Sequence, residues 1–298
     1  MAVVNVLGYP SSAAAYCVGV EEAPAALRAA GLFPALESAG HQVRDAGDLP
    51  VHRWRPDHES PLAQNLHEEV DALREFAGLA AELIGPSKRL LAIGGSCTVA
   101  LGVCAAAAQA GVNAGLVYVD RQLDLNTPAS TTQGSLSWMG MAHALGLDGA
   151  ARELVEVGDR VPLLRPAQLS YLGVDMDATT PWEREQVDDH ELSVVLQAEM
   201  VADPASAARA ARDALPEGGF FVHVDVDVLD FLDAPIAEDM DGRNSGPTLA
   251  ELGVVLGELW ADPDCLGMSV GQLVPAHAAS DPTSLPRLIE ALTPPRGV

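Results

Sequence analysis

The residues Asp225-Val226-Asp227 close the run Phe220-Phe221-Val222-His223-Val224. An apolar strand-like stretch that delivers two carboxylates to its C-terminal end suits a divalent cation, because hard or borderline ions take oxygen ligands in that arrangement. A second stretch repeats the pattern: Leu116-Val117-Tyr118-Val119 runs into Asp120-Arg121-Gln122-Leu123-Asp124. Four aspartates at two strand ends point to one site. In a chain with 42 acidic residues, such pairs also arise as turn or helix-cap residues. The following segment, from Leu125 to Gly134, is polar and too long for a simple βα turn, and long loops in compact domains usually carry function.

The elements that must hold these residues read as alternating strands and helices. Strands are expected near 3–8, 89–94, 115–120, 169–174, 219–225 and 265–273, and helices over 22–38, 62–83, 98–110, 137–147, 204–214, 248–260 and 284–292. Thr248 with Glu251 has capping-box spacing behind Gly246-Pro247. Alternation from end to end, without a linker, predicts one α/β domain over 1–298. Its expected architecture is three-layer αβα with a mainly parallel central sheet. Ligands of such sheets bind at the carboxyl ends of the strands. Cys97, the segment Asp120 to Gln133, Asp177, Asp225, Asp227 and Gln272 all fall at those ends.

With these residues in place, the chain resembles the arginase (ureohydrolase) family. The resemblance rests on Gly19-Val20-Glu21-Glu22-Ala23-Pro24, Gly40-His41, Asp45 to Pro50, Gly94-Gly95-Ser96-Cys97, Asp120 to Pro128, Tyr171 to Val174 with Asp177, and Asp225-Val226-Asp227. It covers nearly the whole chain. It implies two manganese ions held by four aspartates, here Asp120, Asp124, Asp225 and Asp227, and by two histidines. The histidine positions are Cys97 and Gln122 here, and Ser96 stands where an aspartate usually precedes the first. A proton-shuttling loop histidine falls on Ser137, and the glutamate that grips a guanidinium falls on Gln272. Asn126, Thr131 and Asp177 match positions that contact amino-acid substrates, and Gln133 and Ser137 are further substrate-binding candidates.

Each departure has a physical meaning. A thiolate is softer than imidazole, so Cys97 favours zinc or iron over manganese. Gln122 offers only a neutral amide oxygen, and Gln272 lacks the charge that pairs bidentately with a guanidinium. The expectation is a divalent metal (manganese, zinc or iron) at partial occupancy, or none, with at most one tightly held ion. Asp124, Cys97 and Gln272 are the candidate catalytic residues. Cys97 is open to three readings: a metal ligand or binding residue, a nucleophile near the start of the helix at 98–110, or inert pocket lining. Arg121 either relieves carboxylate repulsion or forms a salt bridge away from the cluster. His143 reads as an exposed helix residue, and His223 as a core histidine.

The net charge of −25 argues against nucleic acid and anionic membranes as partners. No apolar run approaches a membrane span, and the start lacks a signal-peptide pattern, so a cytoplasmic location is expected. The four cysteines have no CxxC spacing. The lone lysine, Lys88, lies at the opposite strand end from the acidic loops, which removes a Schiff base there. The resemblance implies a homo-oligomer, trimer or hexamer, and the apolar stretch Leu285 to Leu292 is in keeping with it. Three functions remain open: metal-assisted C–N hydrolysis of a small guanidino- or amidino-like metabolite, metal-independent acid–base chemistry (cyclase, isomerase or lyase) in specialised metabolism, and a pseudoenzyme that keeps only the fold.

Overall fold

Runs of valine, leucine and phenylalanine without polar alternation form strands buried on both faces, and in this chain they build the middle of one sheet. The structure is a computed structural model describing residues 3–295. The strands are β1 (Val3–Tyr9), β2 (Gln42–Asp48), β3 (Lys88–Gly94), β4 (Gly115–Val119), β5 (Leu169–Val174), β6 (Ser193–Leu196), β7 (Phe220–Asp225) and β8 (Cys265–Gly271). They lie in the order β2-β1-β3-β8-β7-β4-β5-β6, and every neighbouring pair is parallel.

The helices are α1 (Ala23–Ala29), α2 (Leu32–Ser38), α3 (Leu66–Ala81), α4 (Val99–Gln109), α5 (Gly140–Leu145), α6 (Arg152–Val155), α7 (Pro181–Asp189), α8 (Gln197–Ala202), α9 (Pro204–Asp213), α10 (Leu249–Ala261) and α11 (Ser284–Leu292). They cover both faces of the sheet. Alternate strand residues feed two separate apolar clusters: Leu90, Ala92, Leu116 and Tyr118 pack with α3 and α4, while Leu91, Ile93, Val117 and Val119 pack with α1, α2, α9 and α10. The arrangement is the expected three-layer αβα fold with a parallel sheet. The box at α10 forms as expected, Glu251 accepting from the Thr248 N–H at 2.7 Å and donating its own N–H to Thr248 Oγ1 at 3.3 Å.

Several expectations need correction. Two edge strands escape the sequence pattern, because β2 is polar and largely exposed and β6 is only four residues long. The helix expected over 22–38 breaks into α1 and α2 at Gly31, whose φ of 103° no residue with a Cβ adopts readily. The 137–147 helix starts as a 3-10 turn at Ser137–Met139 before α5. Leu288, Ile289 and Leu292 of α11 are buried within their own chain, so that apolar stretch carries no information about assembly. Among the described residues no helix is long and apolar enough to cross a membrane.

Candidate active site

Four adjacent strands in the middle of the sheet, β3, β8, β7 and β4, send their carboxyl ends into one cleft. From β3 the chain turns through Gly95 and Ser96 to Cys97, just ahead of α4, and the Cys97 loop packs directly on the end of β8. A Cβ on Gly271 would lie 2.7 Å from Cys97 Sγ and 3.1 Å from its Cα, so only glycine allows this approach. One residue further, Gln272 takes a φ of 62°. Asp124 beyond β4 has a φ of 52°. Left-handed backbone at non-glycine residues is strained and concentrates at functional sites.

The aspartates are buried and closely linked. Asp225 accepts from Cys97 Sγ at 2.7 Å through Oδ2 and from the Asp227 N–H at 2.8 Å through Oδ1. Asp120 Oδ1 accepts from the Gln122 N–H at 2.7 Å, while its Oδ2 is buried without a partner. The Tyr118 hydroxyl donates to Asp124. Burial and mutual repulsion push the carboxyls of Asp120, Asp124 and Asp225 well above the ordinary range. Burial raises Asp227 to about 6 despite the nearby guanidinium groups of Arg243 and Arg121. Burial and Asp225 likewise push the Cys97 thiol far up, so Cys97 is a protonated donor and not an activated nucleophile.

Among the described residues, Cys97, Asp120 and Asp225 form a group whose ligand atoms lie within 4.8 Å of one another. This buried S/O/O set fits one borderline divalent ion, and the orphan Oδ2 of Asp120 is an acceptor that a cation would satisfy. Asp124 stands outside that group. The second ion position fits poorly. With the Gln122 amide oriented by its hydrogen bonds, Nε2 donates to Asp120 Oδ1 at 3.2 Å and to Asp227 Oδ2 at 2.8 Å. The two carboxylates are thereby bridged by N–H donors, which repel a cation.

Above these residues opens a cavity of about 40 Å³, room for about three waters. Gln122, Asp124, Ser137, Asp225, Asp227 and Gln272 line it, joined by Tyr16, Trp138, Glu238 and Asp239. Cys97 and Asp120 are not part of the lining. Among the described lining residues, five carry carboxylates (Asp124, Asp225, Asp227, Glu238, Asp239), and none is lysine, arginine or histidine. Ser137 is buried and shares a 2.9 Å hydrogen bond with Ser135.

Other candidates sit elsewhere. Asn126 is buried under the loop, its Oδ1 accepting from Thr180 and Ser130 and its Nδ2 lacking a partner. Thr131 Oγ1 accepts from the Gln133 N–H at 3.1 Å, and neither residue lines the cavity. Asp177 is exposed on a 3-10 turn, also off the cavity. Arg121 forms outward ion pairs with Asp241 at 2.8 Å and Asp175 at 3.6 Å. His143 is not exposed: fully buried, it donates to Met139 O and accepts from the Ala151 N–H at 3.1 Å, and burial lowers its pKa to about 4. His223 is a core histidine, stacked on Tyr118 and bonded to Ser269 Oγ at 2.9 Å.

Glu238, Tyr16, Trp138 and Arg243 were invisible to sequence reasoning. Glu238 contacts residues 34 and 222 positions away, so no local pattern could reveal it. Arg243 donates to the backbone carbonyls of Asp227 and Leu229, bracing the β7 end from an irregular segment.

The fold and the cleft together define an αβα protein with a buried acidic site at the carboxyl end of its parallel sheet. The Arginase family model matches residues 2–286, and the chain belongs to the arginase family. It is 28% identical to the arginase of Brevibacillus brevis over 238 residues, 78% of each chain. Its fold is similar to that of the arginase from Bacillus subtilis, with a TM-score of 0.84, 23% identity and 98% of both chains covered. It is also similar in fold to proclavaminate amidino hydrolase from Streptomyces clavuligerus, with a TM-score of 0.67 at 18% identity over 98% of this chain and 93% of that one.

Proposed function

We propose that the protein hydrolyses a C–N bond in a small cationic amidino- or guanidino-compound, using at most one divalent ion. The observation that carries this reading is the cavity lined by five carboxylates and no basic side chain, directly over the Cys97, Asp120 and Asp225 set. Cys97, Asp120 and Asp225 would hold the ion, with zinc or iron preferred over manganese because of the thiolate. Such an ion supplies Lewis acidity toward an attacking water. The chain's own groups do the rest. Asp124, fixed by Tyr118, accepts a proton, and the acidic walls concentrate a cation and exclude anions. The relatives' printed names, arginase and amidino hydrolase, support the bond type.

The test is reconstitution of metal-free protein with zinc, iron, cobalt or manganese, followed by a panel of amidines and guanidines read by product release. Hydrolysis with one equivalent of ion is expected. No turnover with any ion would sink the reading. A metal-independent acid–base function is favoured by one observation: Asp227 at about 6 and Glu238 at about 7 both exchange protons near neutrality. Activity that persists in chelator would select it. We further propose assembly into a trimer or hexamer, and light scattering at micromolar concentration tests this.

A further inference from the structure

We propose that Glu238, bonded to Gln272, selects the cationic head group for this cleft, the pair presenting a carboxylate and an amide carbonyl to one planar set of N–H donors. The inference rests on the cationic-substrate reading above and names the residue that enforces it.

The two residues are fixed to each other at the backbone. The Glu238 N–H donates to Gln272 O at 2.9 Å, Val274 N–H donates to Ile236 O at 2.9 Å, and Ala237 bridges Leu273 in antiparallel fashion. The side chains repeat the link, Gln272 Nε2 donating to Glu238 Oε2 at 3.1 Å. Glu238 Oε1 accepts from the Tyr16 N–H at 3.0 Å. Glu238 therefore has a set position at the cavity wall.

The link also decides what Gln272 offers. With its amide nitrogen committed to Glu238, its carbonyl Oε1 is the free end, and that atom is buried without a partner on a residue only 7% exposed. An unsatisfied buried acceptor in a cavity wall favours a ligand that brings a donor. Glu238 supplies what Gln272 lacks, a negative charge, and no basic side chain in the lining neutralises it. An amidinium or guanidinium has coplanar N–H groups that can reach both acceptors, whereas a neutral amide brings no charge. Burial raises the Glu238 carboxyl to about 7, which a bound cation would reverse.

The experiment uses the full, metal-free chain with acetamidinium chloride and its neutral isostere acetamide, each followed by ligand-observed NMR of the methyl group at constant ionic strength. The wild type is expected to bind acetamidinium at least about tenfold tighter than acetamide. Glu238→Gln should abolish that preference by weakening acetamidinium far more than acetamide. Gln272→Leu, which keeps the charge but removes the carbonyl, should weaken both probes, and it serves as the second test if Glu238→Gln melts abnormally. A wild type without preference, or a Glu238→Gln protein that retains it, overturns the proposal. Metal-dependent hydrolysis indifferent to Glu238 would leave the proposed function standing and sink only this inference. A charge preference without hydrolysis would do the reverse.

Discussion

Glu69 and the cleft aspartates are buried carboxylates of the same chain with opposite fates. Glu69 on α3 is fully buried, yet both its oxygens are used: Tyr9 donates to Oε1 at 2.7 Å, Ser11 donates to Oε2 at 3.0 Å, and Thr98 donates as well. It ties β1 to the Cys97 loop. In the cleft, Asp120 Oδ2 and Asp227 Oδ1 are buried without any partner, and the carboxylates repel one another. A buried acid whose lone pairs are matched by donors is a brace. One whose lone pairs are left open is waiting for something to bind.

The largest test of this contrast is Glu69→Ala, which strands three buried hydroxyls and should cost about 3–5 kcal/mol in chemical denaturation. If it costs less than about 1 kcal/mol, Glu69 is not a brace. A smaller effect is expected from zinc. Binding to the folded cleft alone should stabilise by about 2.7 kcal/mol at a hundredfold excess over its Kd, reversed by chelator and absent in Cys97→Ser. Equal stabilisation of both proteins would place the ion elsewhere.

Asp227→Asn should raise stability, opposite to Glu69→Ala, and its pH dependence follows from the raised pKa of about 6. Stability from the protonated form is fully present below the unfolded value near 3.8 and is lost as pH rises through about 6. The asparagine variant, which cannot ionise, should therefore be more stable than wild type by about 1–2 kcal/mol at pH 7.5, the gain fading as the pH falls toward 4. A gain independent of pH would show that charge is not its source. The smallest expected change comes from Cys97→His with Gln122→His, which replaces the bridging N–H donors and should raise manganese affinity about tenfold, measured by calorimetry. An unchanged affinity would mean that the amide of Gln122 is not what closes the second position.

Much of this contrast could be read from the chain. The central strands announce themselves as unbroken apolar runs, and each ends in its polar residues, so the cleft at β3, β4, β7 and β8 was legible from Cys97, Asp120, Asp124, Asp225, Asp227 and Gln272. The edges were not. β2 (Gln42–Asp48) is polar and mostly exposed, without the apolar run that marks the central strands, and α7 lies outside the expected helices although Thr180-Pro181 with Glu183 forms a capping box. The loop after Asp124 is polar in sequence, yet its first residues are buried, Trp182 donating to Leu125 O and Glu183 accepting from the Leu125 N–H, while Ala129, Thr132 and Gln133 stay exposed. Its length signalled importance but not where its side chains would go. Glu69 shows nothing in sequence to mark it as different from its half-buried neighbour Glu68, because its donors arrive from two distant segments, Tyr9–Ser11 and Thr98.

The close fit of Gly271 against Cys97 also sets an order of access. Cys17 is exposed, whereas Cys97 lies under the end of β8 with its sulfur bonded to Asp225. A bulky alkylating reagent should reach Cys17 first, at a rate slowed because partial burial and Glu238 raise that thiol's pKa, and should reach Cys97 only when the ends of β3 and β8 part. The labelling rate of that one thiol is then a clock for the opening of the cleft.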